Sequence, residues 1–210
     1  MATRTEARYL AVLQSDIMEC NVRPALIEDA DSIAAIYAPI VEQTFISFEE
    51  IAPRPAEMAA RIDKLRSTFP WLVAEHAGHV VGYAYAGPHR ERASYRWSTD
   101  VSVYVDARAR RSGVARSLYR ALFEILAAQG YHRAFAGITL PNGASESLHL
   151  ALGFERVGIY RQVGYKFGAW RDTLWCQRAL RDRDASPAEP VPFAQLATSI
   201  VRDACAPTRV

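Results

Sequence analysis

Regular patterning of apolar positions begins near Asn21 and fades after Leu180, switching between a period of two and a period near 3.6. Asn21-Val22-Arg23-Pro24-Ala25 reads as an opening strand. Asp29 is placed to cap a helix carrying Ile33, Ile36 and Tyr37, which Pro39 is expected to bend or end. A second helix fits Pro55 to Thr68, with proline at its first position and Met58, Ile62 and Leu65 along one face. Trp71 to Glu75 and Val80 to Tyr85 flank His76-Ala77-Gly78-His79, which predicts a hairpin. The next strand spans Trp97 to Val105. Alternation sends Ser98, Asp100, Ser102 and Tyr104 to one side of it, and Trp97, Thr99, Val101, Val103 and Val105 to the other. A helical run around Leu118 to Leu126 stops at Gly130. Tyr131 to Thr139 follows as a strand and Ala144 to Leu152 as a short helix ended by Gly153. Phe154 to Tyr160 and Thr173 to Leu180 read as closing strands, and no internal repeat is present.

This order predicts one α/β (α+β) domain over residues 21–181, with an N-terminal extension at 1–20 and a Pro/Ala-rich C-terminal extension at 182–210. A chain of 210 residues, half of them apolar, builds one substantial core and leaves no room for a second catalytic domain. Met18 stands just before the domain, so the leader is open to explanation by the choice of start codon. Ser186 to Pro192 reads as a flexible link, and Phe193 to Val201 as a short helix packing on the body or on a partner.

Net charge is only +2, and Lys64 and Lys166 are the only lysines among 25 basic residues. The arginines alternate with acids instead of forming a stripe, so a solvated surface is expected and no nucleic-acid partner. Cys20, Cys176 and Cys205 are odd in number and far apart, which argues against a disulfide framework or a zinc site and for a reducing cytoplasm. Tyr9 to Leu13 is too short for a signal-peptide core, and no apolar run is long enough to span a bilayer. His76 and His79 have metal-like spacing but flank a turn with no third ligand in view, so no metal is expected.

The most informative stretch is Arg110-Arg111-Ser112-Gly113-Val114-Ala115-Arg116, between the strand ending at Val105 and the following helix. Gly113 and Ala115 are small enough for a phosphate to approach the main chain. The unpaired N–H groups and positive dipole end of the helix's first turn then hold the anion. The R-x-x-G-x-A spacing is weak alone; its place after a strand and before a helix points to an acyl-CoA pyrophosphate.

Four further segments carry a resemblance to a known family. They are Trp71 to Glu75 with Gly82 to Pro88; Trp97 to Val105; Leu140-Pro141-Asn142 with Leu148-His149; and Val163 to Asp172. With the basic cradle they make the chain, over about Val22 to Leu180, similar to the GNAT acetyltransferase superfamily and, more narrowly, to phosphinothricin and methionine sulfoximine N-acetyltransferases. The resemblance implies a mixed, strongly twisted sheet flanked by helices, with a splayed strand pair where acetyl-CoA enters. It implies direct transfer of acetyl from acetyl-CoA to an amine in a ternary complex, and a homodimer. Val103, Tyr104 and Val105 would offer main-chain groups to the pantetheine arm, Arg111 to Arg116 would wrap the pyrophosphate, and Asn142 and Ser145 would lie along the cofactor.

An amine attacks a thioester only when neutral, and a free amino-acid amine is mostly protonated near neutral pH, so a base must take its proton. By the resemblance that base is Asp100, where relatives typically carry glutamate; one methylene less favours a relayed proton. On the residues alone, an acid on the polar side of a strand suits a cleft wall or a solvated face. His149 stands at the family's active-site histidine, as part of the relay or as a group polarising the carbonyl, although Leu150 follows where an acid is common. The main-chain N–H near Val103 is the candidate oxyanion donor. Tyr104, Tyr160 and Tyr165 are open as proton donors to the leaving thiolate. Arg90 and Arg92, in Gly87 to Arg92, would hold the acidic groups of the acceptor, or else face solvent balanced by Glu91. Phe48 would pack on its aliphatic part. His89 departs from the bulky aromatic common in relatives. The expected activity is N-acetylation of a small amino-acid-like amine. The alternatives are another amine or peptide acceptor, or a non-catalytic acyl-CoA-binding module.

Overall fold

A computed structural model describes residues 18–207; the reading of Tyr9 to Leu13 lies outside them. A seven-stranded sheet runs in the order β1-β2-β3-β4-β5-β7-β6. Its strands are β1 (Asn21–Pro24), β2 (Trp71–His76), β3 (His79–Pro88), β4 (Ser98–Val105), β5 (Arg133–Thr139), β6 (Glu155–Lys166) and β7 (Ala169–Ala179). The helices are α1 (Ala30–Gln43), α2 (Pro55–Leu65), α3 (Val114–Gln129), α4 (Gly143–Ala151) and α5 (Thr198–Cys205).

Alternation along the strands sorts the core into two layers. Leu72, Ala74, Ala84, Ala86, Val101, Ala134 and Ala136 meet Leu118, Leu122, Ile125 and Leu126 of α3. Trp71, Val73 and Tyr83 point the other way, onto Ile33, Tyr37 and Val41 of α1 and Met58 and Ile62 of α2. Leu118, Leu122, Ile125 and Leu126 are wholly buried, each contributing about 1.5–3 kcal/mol by removal from water.

β4 and β5 are the parallel pair, joined through α3, and they pair only at Ser98↔Arg133, Thr99↔Ala134 and Asp100↔Phe135. Beyond that point β4 stays with β3 as far as Val105↔Gly82, and β5 stays with β7 as far as Thr139↔Thr173. Each half of the sheet follows its own twist, and the two halves part.

Several expectations need correction. Asp29 does not cap α1: its carboxylate takes a bidentate pair from Arg23, at 2.7 and 2.9 Å, and the Leu26 N–H at 2.8 Å. α1 runs through Pro39 to Gln43, because Ile40 and Val41 are buried against the sheet and hold the last turn in place. α2 ends at Leu65, short of Thr68. The closing strands are longer than the pattern shows, forming one hairpin arm to Lys166 and Ala169. The stretch expected as a flexible link is pinned at its end: Val191 donates to the Gln129 carbonyl at 2.7 Å, and the Gln129 amide donates back to Val191 O and to Thr68 O. α5 then packs on the body, with Ala204 and Cys205 buried in the α3-side core.

Candidate active site

The cradle begins where Asp106, at the end of β4, caps the short turn Ala107–Ala109 by accepting from Arg108 N at 2.8 Å. Ser112 Oγ donates to the Ala109 carbonyl at 2.6 Å, so its side chain braces the loop. Arg111 and Gly113 both take the left-handed conformation, φ 63° and 87°, and Gly113 stands at the N-cap of α3 without a side-chain cap. That alternation turns successive N–H groups toward one concavity, which with the first-turn N–H groups of Val114, Ala115 and Arg116 suits a pyrophosphate. The Val114 side chain is buried in the core, so only its main chain is available, whereas Arg110, Arg111 and Arg116 are exposed.

The splay between β4 and β5 opens a cavity lined by Val101 to Tyr104 on one side and Ala136 to Thr139 on the other. Asn142, Ser145, His149 and Tyr119 also line it. Asn142 caps α4 by accepting from Ser145 N at 3.2 Å. The main-chain edge of Val103, Tyr104 and Val105 that faces away from β3 has no strand partner, which suits an arm laid along it.

Asp100 and His149 come to this splay from opposite faces of the sheet. Asp100 shares the face of its register partner Phe135, and His149 packs on Tyr119 and Phe154 in the α3-side core. His149 is buried, and its Nδ1 lies 2.7 Å from the Ser145 carbonyl, an acceptor, which fixes the proton on Nδ1. Nε2 therefore accepts from the Tyr119 hydroxyl at 3.1 Å. Burial lowers the pKa of this imidazole, opposed by the Ser145 carbonyl, so it stands neutral. Tyr119 is wholly enclosed and its hydroxyl is pushed up by burial, the usual state of a neutral donor. The helix period marks Tyr119 only as core; its role as cavity lining is not visible in the sequence.

On the other face Asp100 Oδ1 meets His89 Nδ1 at 2.6 Å. The imidazole stacks on Phe135, with ring centres 4.1 Å apart, and meets Tyr95 and Trp175 edge-on. The carboxylate is more open than the imidazole, their side chains being 37% and 11% exposed. Desolvation raises the Asp100 pKa above the ordinary carboxylate range, while the His89 hydrogen bond and the charges of His89 and Arg90 pull the other way. Arg90 lies over the Trp175 ring at 5.5 Å beside this pair; Arg92 is exposed at the start of the Ala93–Tyr95 turn.

Phe48 is held by a loop with many anchors. Lys166 is buried and donates to the carbonyls of Val41, Ser47 and Glu49 at 2.6, 2.8 and 2.6 Å. Arg61 makes a bidentate pair with Glu49, Tyr37 donates to the same carboxylate at 2.9 Å, and Thr139 Oγ1 donates to Ile46 O at 3.1 Å. Phe48 lies directly on Gly164, where a Cβ would come within 2.4 Å of its ring. Sequence reasoning gave Lys166 no role, although a lone lysine late in an arginine-rich chain is itself a signal. A compact ammonium seats three carbonyls where a planar guanidinium does not. Of the tyrosines considered as donors, Tyr104 is packed against Tyr37 and Tyr83, and Tyr160 and Tyr165 stand exposed on the β6 arm. His76 and His79 face each other across the Ala77-Gly78 turn, and the described residues hold no group of three metal-type ligands.

Residues 22–175 match the family model described as an acetyltransferase (GNAT) domain. The chain is 37% identical over 172 residues to the phosphinothricin N-acetyltransferase of Streptomyces viridochromogenes, covering 82% of this chain and 92% of that one. It is 38% identical over 172 residues to the L-methionine sulfoximine/L-methionine sulfone acetyltransferase of Pseudomonas aeruginosa, covering 81% and 100%. Among solved structures, the phosphinothricin acetyltransferase of Sinorhizobium meliloti in complex with AcCoA superposes with a TM-score of 0.79 at 36% identity, covering 85% of this chain and 98% of that one.

Proposed function

The chain belongs to the GNAT acetyltransferase family, and from that premise we propose that it moves the acetyl group of acetyl-CoA to the amine of a small amino-acid-like acceptor of the phosphinothricin or methionine sulfoximine or sulfone type. The observation that carries this reading is the cavity in the splay, lined by Val101 to Tyr104, Ala136 to Thr139, Asn142, Ser145 and His149, with the Asp100–His89 pair at the last paired position of the same two strands. Acetyl-CoA supplies the activated thioester. Val103 to Val105, the first turn of α3, and Asn142 with Ser145 hold it.

The acceptor enters on the α1–α2 face. Phe48 covers its aliphatic part and Arg90, with Arg92 at the rim, meets its acidic groups, a guanidinium fork matching a carboxylate or phosphinate. Asp100 takes the ammonium proton. The amine attacks the acetyl carbon, the main-chain N–H near Val103 stabilises the oxyanion, and the C–S bond breaks. His149 acts through Tyr119: its neutral Nε2 fixes the hydroxyl of that residue on the far side of the splay.

The exposed β6 arm, with Val157, Ile159, Val163 and Tyr165 uncovered along one edge strand and Phe167 at the turn that ends it, supports a homodimer built on that edge. Free thiols at Cys20, Cys176 and Cys205 support residence in the cytoplasm. No described helix is long and apolar enough to cross a membrane. The test is a panel of amines with acetyl-CoA, followed by mass spectrometry and free-thiol release in parallel. Acetylated phosphinothricin or methionine sulfoximine is expected. Binding of acetyl-CoA with no amine acetylated would make the chain a non-catalytic module.

A further inference from the structure

Asp100 stands on β4 and His89 on the loop before it, and the structure brings the two side chains into contact. Loop and strand meet so that His89 Nδ1 lies 2.6 Å from Asp100 Oδ1. The imidazole plane is fixed by stacking on Phe135 at 4.1 Å and by the edges of Tyr95 and Trp175, so its nitrogen is held in direction as well as distance. The main chain behind it is tied as well: Arg90 donates to the His89 carbonyl at 2.7 Å. The ring is nearly enclosed and the carboxylate is open to the cleft.

We propose that His89 is a positioning residue for acetyl transfer: its Nδ1–H anchors Oδ1 of Asp100, so that Oδ2 of the short carboxylate is presented to the acceptor amine without a bridging water. The inference rests on the reading of Asp100 as the base. In the reactive state Nδ1–H of His89 donates to Oδ1, and Asp100 is ionised. An N–H bond of the acceptor ammonium breaks and its proton passes to Oδ2; the electron pair left on nitrogen forms the C–N bond to the acetyl carbon. The C–S bond then breaks, the thiolate is protonated by the second proton shed by that nitrogen, and the first returns to solvent from Asp100. The acceptor ammonium and acetyl-CoA thus become the amide, the free thiol and one proton. An aromatic ring at 89 would fill the same space but leave the carboxylate free to rotate.

The charged and titratable groups facing the pair are Arg90 from its own loop, Tyr95 from the following turn and Tyr85 from β3; Phe135 of β5 and Trp175 of β7 are uncharged. Because the His89 hydrogen bond favours the ionised carboxylate, its removal moves the acid limb of kcat/KM to higher pH.

The test compares His89→Phe, which keeps the stacked ring, with His89→Asn, whose amide N–H overlays Nδ1, and with His89→Phe combined with Asp100→Glu. His89→Phe is expected to lower kcat about 10–100-fold, the scale of a misplaced reacting group. The KM for acetyl-CoA should stay within about twofold, with the acid limb shifted upward. His89→Asn and the double variant should each recover most of the loss. His89→Phe at wild-type kcat with an unmoved acid limb overturns the proposal. So does a loss that neither His89→Asn nor the added glutamate restores, since that is the mark of packing alone. Asp100→Asn separates the premise: if it turns over normally, the base assignment fails whatever His89 does. If Asp100→Asn is inactive while His89→Phe is unimpaired, only the positioning role fails.

Discussion

Gly164→Ala offers a sharp test of the acceptor wall. A Cβ built on Gly164 lies 2.4, 2.5 and 2.7 Å from Cζ, Cε2 and Cε1 of Phe48. Carbon atoms in contact sit about 3.5–4.0 Å apart, so the ring must withdraw by about 1 Å or more. It can do so cheaply. Phe48 is 40% exposed, the colliding atoms are the far end of a side chain, and Gly164 is not in the left-handed region. Ala in place of Gly also reduces the freedom of the unfolded chain by about 0.4–1 kcal/mol, which offsets the lost ring contact, so stability should change by no more than about 1 kcal/mol. The functional cost is larger, because displacing a positioning surface by about 1 Å costs on the order of 100-fold in rate. Steady-state thiol release, with acceptor and acetyl-CoA varied in turn, should show a 10–100-fold loss in kcat/KM for the acceptor and an acetyl-CoA KM within about twofold of wild type. Phe48→Ala should behave alike, and the double variant should be no worse than Phe48→Ala alone, because both act through one ring. Unchanged acceptor kinetics in Gly164→Ala, or losses that multiply in the double variant, would refute the placement of Phe48 on the acceptor.

Asp100→Asn should lower kcat by about 10²–10⁴-fold while calorimetry finds acetyl-CoA affinity unchanged. Burial raises the Asp100 pKa, so kcat/KM should fall on acidification starting at a higher pH than an ordinary carboxylate near ~4 would give, and be restored as pH rises; a pH profile checks this. Lys166→Met removes the cation seated on three main-chain carbonyls and should cost about 2–4 kcal/mol, a Tm loss of about 4–16 °C by calorimetry, with a raised acceptor KM. Gly82→Ala drives a Cβ to 3.0 Å from Val114 Cγ1 and 3.1 Å from the Tyr104 carbonyl. It should cost about 1–3 kcal/mol and weaken acetyl-CoA binding by prying β4 from the start of α3, both measurable by melting with and without acetyl-CoA.

The frame of the fold was legible because its elements are locally consistent. Alternation through Ser98 to Val105 sorted the faces of β4, and the Ala77-Gly78 turn announced the first hairpin. The outer part of the β6–β7 arm was not legible. Most of its residues are exposed and only Lys166 and Thr173 are buried, so no continuous buried face imposes alternation between Tyr160 and Thr173. Asp29 looked like a helix cap because the sequence does not show that Arg23 would claim its carboxylate across a strand end. At the site, the loop proposed to hold the pyrophosphate is contiguous and its place between a strand and a helix was readable, whereas the parting of β4 from β5 is a property of pairing between distant segments. The His89–Asp100 contact depends on the path of the loop between them, and Tyr119 carries the same apolar signature as the helix core around it.

The most direct measurement is a crystal structure of the protein with acetyl-CoA. Pantetheine should run between Val101–Val105 and Ala136–Thr139, the pyrophosphate should sit on the main-chain N–H groups of residues 111–116, and the thioester carbonyl should open toward Asp100 and His89. Coenzyme bound away from the splay, or a thioester closed off from Asp100, would contradict the account.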